Sequence, residues 1–175
     1  MKKFIASALL LASVSAPAFA QDALPFSGPY IGGVVGLDHV DFDSANHDSG
    51  LLYGGVVGYD VNVNGAVFGV EGEYADSDVK KFGVRTDRDL YAGVRIGGEI
   101  VPNVLAYAKG GYTNARFEDA AGDGIKLDGY RLGAGLETTV QGFIVRGEYR
   151  YSSYEHVGGV KPERHQAALI LGYRF

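Results

Sequence analysis

Leu90-Tyr91-Ala92-Gly93-Val94-Arg95-Ile96-Gly97-Gly98-Glu99-Ile100 is the stretch that decides the fold. Its even positions carry Leu90, Ala92, Val94, Ile96 and Ile100; its odd positions carry Tyr91, Gly93, Arg95, Gly97 and Glu99. A period of two is that of a β-strand whose two faces meet different surroundings. The pattern returns downstream. Tyr130, Leu132, Ala134, Leu136, Thr138 and Val140 oppose Arg131, Gly133, Gly135 and Glu137. Phe143, Val145, Tyr149 and Tyr151 oppose Arg146, Glu148 and Arg150. Ala167, Leu169, Leu171, Tyr173 and Phe175 oppose Gln166, Ala168, Ile170, Gly172 and Arg174. Four weaker alternations, Tyr30–Asp43, Leu51–Val63, Val67–Ser77 and Val104–Ala115, bring the set to eight strands. No segment keeps a helical i, i+3, i+4, i+7 apolar face.

The connections between these strands alternate in length. Asn64-Gly65, Pro102-Asn103 and Gln141-Gly142 are two-residue hairpin signals. Between them fall longer polar loops, roughly His39–Gly50, Asp76–Arg88, Arg116–Gly124 and Ser152–Glu163. In an up-and-down sheet this gathers every tight turn at one end and every long loop at the other.

Composition narrows the surroundings. The 175 residues include 27 Gly, 12 Tyr, no Cys and no Trp, with 16 bases against 21 acids. An acidic chain without a basic run argues against a nucleic-acid partner. Without Cys there is no disulfide framework, thiolate metal site or Cys nucleophile. Met1-Lys2-Lys3, the apolar run Phe4–Val14, and small residues at Ala18 and Ala20 read as a secretory signal peptide, residues 1–20, cleaved after Ala20. The mature chain, residues 21–175, would then carry 14 bases and 21 acids. A soluble sandwich hides its apolar faces. Here an apolar face rich in Leu, Val, Tyr and Phe accompanies a face of Gly, Arg and Glu on nearly every strand. A closed barrel in lipid accounts for both, because its outside must be apolar and its inside can be polar. Closure also pairs every backbone group, which lipid cannot do. The expected fold is therefore all-β, an eight-stranded antiparallel up-and-down transmembrane barrel with short periplasmic turns and longer extracellular loops.

Two segments resemble a known family. Gly28-Pro29-Tyr30-Ile31-Gly32-Gly33-Val34-Val35-Gly36 is similar to the aromatic-x-Gly-x-x-x-Gly opening strand of the outer-membrane β-barrel superfamily, of the opacity-protein and outer-membrane protein A transmembrane-domain type. Leu169-Ile170-Leu171-Gly172-Tyr173-Arg174-Phe175 resembles its C-terminal assembly signal. The resemblance implies location in a Gram-negative outer membrane; with the sequence ending at the last strand, no added peptidoglycan-binding domain is expected. It also implies handling by periplasmic chaperones and the barrel-assembly machinery, which would read Leu169, Leu171, Tyr173 and Phe175. Without Trp, the interface girdle must rely on Tyr and Phe.

The inward charges expected from alternation are the bases Arg95, Lys109, Arg131, Arg146, Arg150 and Arg174, and the acids Asp60, Glu71, Glu73, Asp89, Glu99, Glu137 and Glu148. Of these, Arg95, Lys109, Arg131, Arg146 and Arg150 with Glu71, Glu73, Glu99, Glu137 and Glu148 form the expected lumen charge network. An ion path is one reading; neutralising salt bridges in a solid barrel are the other. An eight-stranded barrel is only wide enough for its own side chains, and a buried unpaired charge is too costly to persist, so the salt-bridged lumen is favoured. The glycine pairs open no helix and are not followed by Gly-Lys-Ser/Thr, so they are strand glycines. His39, His47, His156 and His165 are too scattered for a metal site. His47-Asp48-Ser49 echoes the His-x-Ser of outer-membrane lipid A deacylases, but sits early in the chain on a loop; a solvated turn is favoured.

The functional expectation is a structural or surface-interaction protein with roles in envelope stability or adhesion, without catalytic residues, cofactor or metal. Its expected partners are outer-membrane lipid, lipopolysaccharide and a host or surface ligand met by the loops; the barrel is expected to be monomeric. A small porin-like channel and a lipid A-modifying enzyme are the alternatives. Acidic residues Asp41, Asp43, Asp48, Glu118, Asp119 and Asp123 would give the loops a cation-bridging surface, and Lys80, Lys81, Arg85 and Arg88 a contact for anionic lipid heads.

Overall fold

The computed structural model describes residues 25–41, 47–77, 80–81, 84–118, 124–154 and 163–175. Alternation of small and β-branched residues makes these segments strands: β1 Gly28–Asp41, β2 His47–Val63, β3 Ala66–Ser77, β4 Lys80–Lys81, β5 Val84–Val101, β6 Val104–Glu118, β7 Gly124–Val140, β8 Phe143–Tyr154 and β9 Glu163–Arg174. Every pairing is antiparallel, and each long strand pairs with its neighbours in sequence. β9 returns to β1, so eight long strands close into a barrel, with β4 a two-residue addition to β5. There is no helix among the described residues.

Register fixes the shape. Partners traced around the wall run Asp41, Glu163, Ser153, Tyr130, Tyr112, Ala92, Gly72, Val57 and back to β1 at Ile31. One circuit thus shifts the chain by the ten residues between Asp41 and Ile31. Against eight strands about 4.8 Å apart, that offset tilts them by about 40°. The backbone radius is then roughly 8 Å, which side chains fill.

The three tight turns share one end with Gly28 and Phe175. Asn64 and Gly65 have φ of 53° and 89°, Gln141 and Gly142 51° and 85°, and Asn103 62°. Such positive φ matches the right-handed twist of hairpin strands. At the opposite end the ladders run further than the alternation suggested. β1 and β2 pair out to Asp41↔His47, and β6 and β7 to Glu118↔Gly124. In these segments the positions in phase with the apolar face, such as His47, Ser49, Arg116 and Lys126, are polar, so the hydropathy period breaks there even though the backbone ladder continues.

The wall is inverted relative to a soluble protein. Ile31, Val35, Val57, Val70, Val94, Leu132, Leu136 and Leu171 lie exposed on the outside. Toward the turn end, Phe143, Tyr173 and Phe175 meet edge-to-face at 5.5 and 5.2 Å. Toward the loop end, Tyr149 hydrogen-bonds His165 Nδ1 at 2.7 Å, and Tyr112 donates to Asp128. Aromatic belts of this kind suit membrane interfaces.

Candidate functional site: the charged lumen

The buried charges face inward from all eight walls. Among the described residues they are seven acids, Asp38, Asp60, Glu71, Glu73, Asp89, Glu137 and Glu148, and seven bases, Arg95, Lys109, Arg131, Arg146, Arg150, Arg164 and Arg174. Strand alternation sends each inward, and register stacks them in tiers.

Nearest the turns, Glu137 accepts from Arg95 and Arg174 at 2.8 Å and from Arg146 Nε at 3.0 Å. Arg174 also meets Asp60 at 2.9 Å. In the middle, Glu71 accepts from Lys109 at 2.7 Å, Arg146 at 2.6 Å and the Tyr30 hydroxyl at 2.7 Å. Glu73 takes both Nη atoms of Arg150 at 2.6 and 2.7 Å. Glu148 is 2.6 Å from Lys109 Nζ and accepts from Arg150 and the Tyr107 hydroxyl. Nearest the loops, Asp89 accepts from Arg131 at 2.5 Å, Arg164 at 2.9 Å and Thr113 at 2.9 Å, while Asp38 pairs with Arg164. The Arg131–Glu73 approach at 3.5 Å joins the upper tier to the middle one. Charges taken out of water persist only when paired this densely, and planar guanidinium forks suit such pairing.

Aromatic rings insulate the tiers. Arg95 lies 4.3 Å from the Tyr107 centroid, and Arg146 and Arg174 both 5.0 Å from Tyr30. Lys109 sits 4.7 Å from Tyr91. These are cation–π distances. The rings need floor space, which glycine supplies. Tyr30 pairs with Gly58 and Tyr107 with Gly135. A Cβ on Gly58 would come within 2.3 Å of the Tyr30 ring, and one on Gly135 within 2.8 Å of the Tyr107 hydroxyl. Beside the charges, Val34, Leu52, Val56, Ile144 and Ile170 make an apolar flank. At the turn end the chain bends with φ 61° at Phe26, whose fully buried ring packs on Val67, Leu105 and Tyr107. Asn62 holds this bend by donating to Pro25 O at 2.6 Å.

Of the ten residues expected in the network, Glu71, Glu73, Arg95, Lys109, Arg131, Glu137, Arg146, Glu148 and Arg150 lie buried together. Glu99 does not. It is exposed beside the Pro102-Asn103 turn, where its carboxylate accepts from Asn103 N–H at 2.9 Å. Its pairing with Leu105 keeps the register of β5 and β6, and the shift comes only beyond it, so Glu99 stands exposed at the turn end of the wall. Asp38, within the Tyr30–Asp43 alternation, and Arg164, just past the Ser152–Glu163 loop, also join the network, although neither belongs to the expected set. The inward tyrosines Tyr30, Tyr91 and Tyr107 were also hidden in hydropathy, since Tyr suits either face. Recurring Gly two residues from or across from a Tyr was the available sign.

Leu169, Leu171, Tyr173 and Phe175 all lie on the outer face of the last strand. Ala18 and Ala20 fall outside the described residues, as does His156. His47, Asp48 and Ser49 lie within β2 rather than on a loop; their side chains fall outside the described set. Among the described residues, no group of three His, Cys, Asp or Glu side chains is placed to hold a metal ion.

Comparisons agree with this architecture. The outer membrane protein beta-barrel domain family model matches residues 6–175. A 22 kDa outer membrane protein of Rhizobium leguminosarum bv. viciae is 34% identical over 140 residues, covering 74% of this chain. The match spans 65% of that relative's length. Among solved structures, Neisserial surface protein A superposes with a TM-score of 0.63 at 17% identity, over 85% of this chain and 98% of that one. Ail, the attachment invasion locus protein of Yersinia pestis, gives 0.57 at 19% identity, over 85% and 99%.

Proposed function

The chain belongs to the outer membrane protein beta-barrel domain family, and from that premise we propose that it is a closed, non-catalytic element of the outer-membrane wall that works through its outer surfaces rather than through its lumen. One observation carries the reading: seven buried acids and seven buried bases are linked side chain to side chain along the interior. Ion flow would require breaking charge-assisted bonds in a low-dielectric tube, where each broken pair strands a charge. The Phe26 bend adds an apolar stopper at the turn end, and Val34, Val56 and Ile170 offer ions nothing to coordinate.

In this reading the turns and both chain ends face the periplasm, as the unequal connections favour. Periplasmic chaperones and the barrel-assembly machinery deliver the chain, and lipid and lipopolysaccharide surround it as a monomer. The loop end is the surface that stabilises the envelope or meets a host ligand. Purified protein in planar bilayers tests the closed lumen. Silent membranes are expected; large, steady single-channel steps would replace this reading with a channel.

A further inference from the structure

The three tight turns are alike in backbone but not in chemistry. A two-residue turn with positive φ selects Asn-Gly, and φ is 53° at Asn64 and 89° at Gly65. Space does not demand the glycine, since a Cβ on Gly65 would meet nothing within 4 Å; its φ does. The turn therefore carries a chemical hazard. With no Cβ on the following residue, the Gly65 nitrogen can reach the side-chain carbonyl carbon of Asn64 and close a five-membered ring. Asn103 is followed by β-branched Val104, and Gln141 would have to close a six-membered ring, so the other two turns are far less reactive. Asn64 is exposed to water.

The nitrogen that would attack is held. Gly65 N–H donates to Asn62 Oδ1 at 2.9 Å, and Gly65 O accepts from Glu99 N–H at 3.2 Å. Asn62 is itself fixed. It is 8% exposed, and its Nδ2 donates to Pro25 O at 2.6 Å, next to the buried Phe26. Ring closure requires the Gly65 nitrogen to lose its proton and to swing toward Asn64 Cγ. The bond to Asn62 Oδ1 opposes both, and breaking it leaves a part-buried acceptor unsatisfied.

We propose that Asn64 is a site of spontaneous deamidation and that the Asn62 side chain guards it in the folded barrel. The Gly65 nitrogen, its proton taken by hydroxide, attacks Asn64 Cγ. The new C–N bond expels ammonia, which takes up a proton from water, and leaves a succinimide. Water then adds to one of the two ring carbonyls and opens the ring to aspartate or isoaspartate. Either product adds a carboxylate at the barrel end that already exposes Glu99. Isoaspartate also lengthens the main chain by one methylene inside a two-residue turn, where the Val63↔Ala66 pairing leaves no slack. A chain that waits unfolded is thus marked at the β2–β3 hairpin, whereas a chain that has seated Pro25 against Asn62 is protected.

The test incubates the mature protein at mildly alkaline pH, either folded in detergent micelles or unfolded in urea. Peptide mapping by mass spectrometry follows deamidation, and enzymatic isoaspartyl methylation follows the rearranged product. In urea, Asn64 is expected to deamidate at least tenfold faster than Asn103 or Gln141 in the same sample; equal rates overturn the site. In micelles the Asn64 rate is expected to fall at least tenfold below that in urea. Asn62→Ala should restore most of the lost rate, whereas Asn62→Asp, which keeps the acceptor oxygen, should stay slow. Heat-modifiable migration shows that each variant has folded. Folded Asn62→Ala as slow as the unmutated protein overturns the guard, and so does Asn62→Asp as fast as Asn62→Ala. Hydrogen exchange at the Gly65 amide of the unmutated barrel gives a reading that needs no variant: protection is expected, and exchange at the rate of an open turn overturns the guard.

Discussion

At the scale of single residues, the lumen concentrates its energetics on a few acids that each serve several cations. Glu137 receives three guanidinium groups, whereas Glu148 shares Lys109 with Glu71 and Arg150 with Glu73. Removing Glu137 therefore takes a partner from three cations at once, against two for Glu148. Glu148→Ala is expected to destabilise by about 3–5 kcal/mol, the range for breaking a buried pair. Glu137→Ala should exceed it, as read from urea midpoints of the folded-to-unfolded gel shift; equal midpoints would sink the hierarchy. Glycines make a second residue-scale contrast. Gly58→Val drives a side chain into the Tyr30 ring, and overpacking of this kind costs roughly 1–3 kcal/mol. Gly147, on the outer wall, has nothing within 4 Å of an added Cβ. Gly147→Leu should leave the midpoint unchanged, and a loss similar to that of Gly58→Val would contradict the account of close approach.

At the scale of the element, β9 does two jobs. Its inward residues Arg164, Gln166, Ile170 and Arg174 complete the lumen, and its outward residues Leu169, Leu171, Tyr173 and Phe175 present an apolar edge-to-edge series to lipid. Phe175 also closes the seam, its N–H donating to Pro29 O at 2.9 Å, while its ring meets Tyr173. Deleting Phe175 should lower the inserted fraction and leave periplasmic chain open to proteolysis, measured by fractionation and immunoblot. Insertion at the full level would remove the assembly role from this residue. β5 shows where parity stops serving the lumen: it keeps register through Glu99↔Leu105, but at the turn end Glu99 is exposed and caps the Pro102-Asn103 turn.

For the whole molecule, closure is the controlling fact. With β9 paired to β1 there is no free edge in the belt, and every spanning residue sits in a two-sided ladder. Such a barrel resists SDS until heated, so unboiled protein should run faster than boiled protein on a gel and show a β-dominated circular dichroism spectrum. Identical migration would argue against closure in detergent. Orientation has its own measurement. Cys introduced at Asn64, in a tight turn, should stay protected from an impermeant thiol reagent in intact cells, whereas Cys at Asp123 should react. The reverse pattern would invert the barrel.

The sequence by itself determined the strands, their order, the three tight turns and which faces meet lipid, because alternation of hydropathy is a local record of two different solvents. It also carried nine of the ten expected network residues to the inside, since parity along one strand needs no knowledge of its neighbours. Only the tertiary structure decided which base meets which acid. Partners such as Arg150 and Glu73, or Arg164 and Asp38, lie far apart in the chain and meet through the ten-residue shear of the closed wall. The tertiary structure also put Asp38 and Arg164 in the network, Phe26 beneath the lumen and Glu99 exposed at the turn end. Parity is a property of one strand, whereas pairing across a barrel is a property of all eight at once.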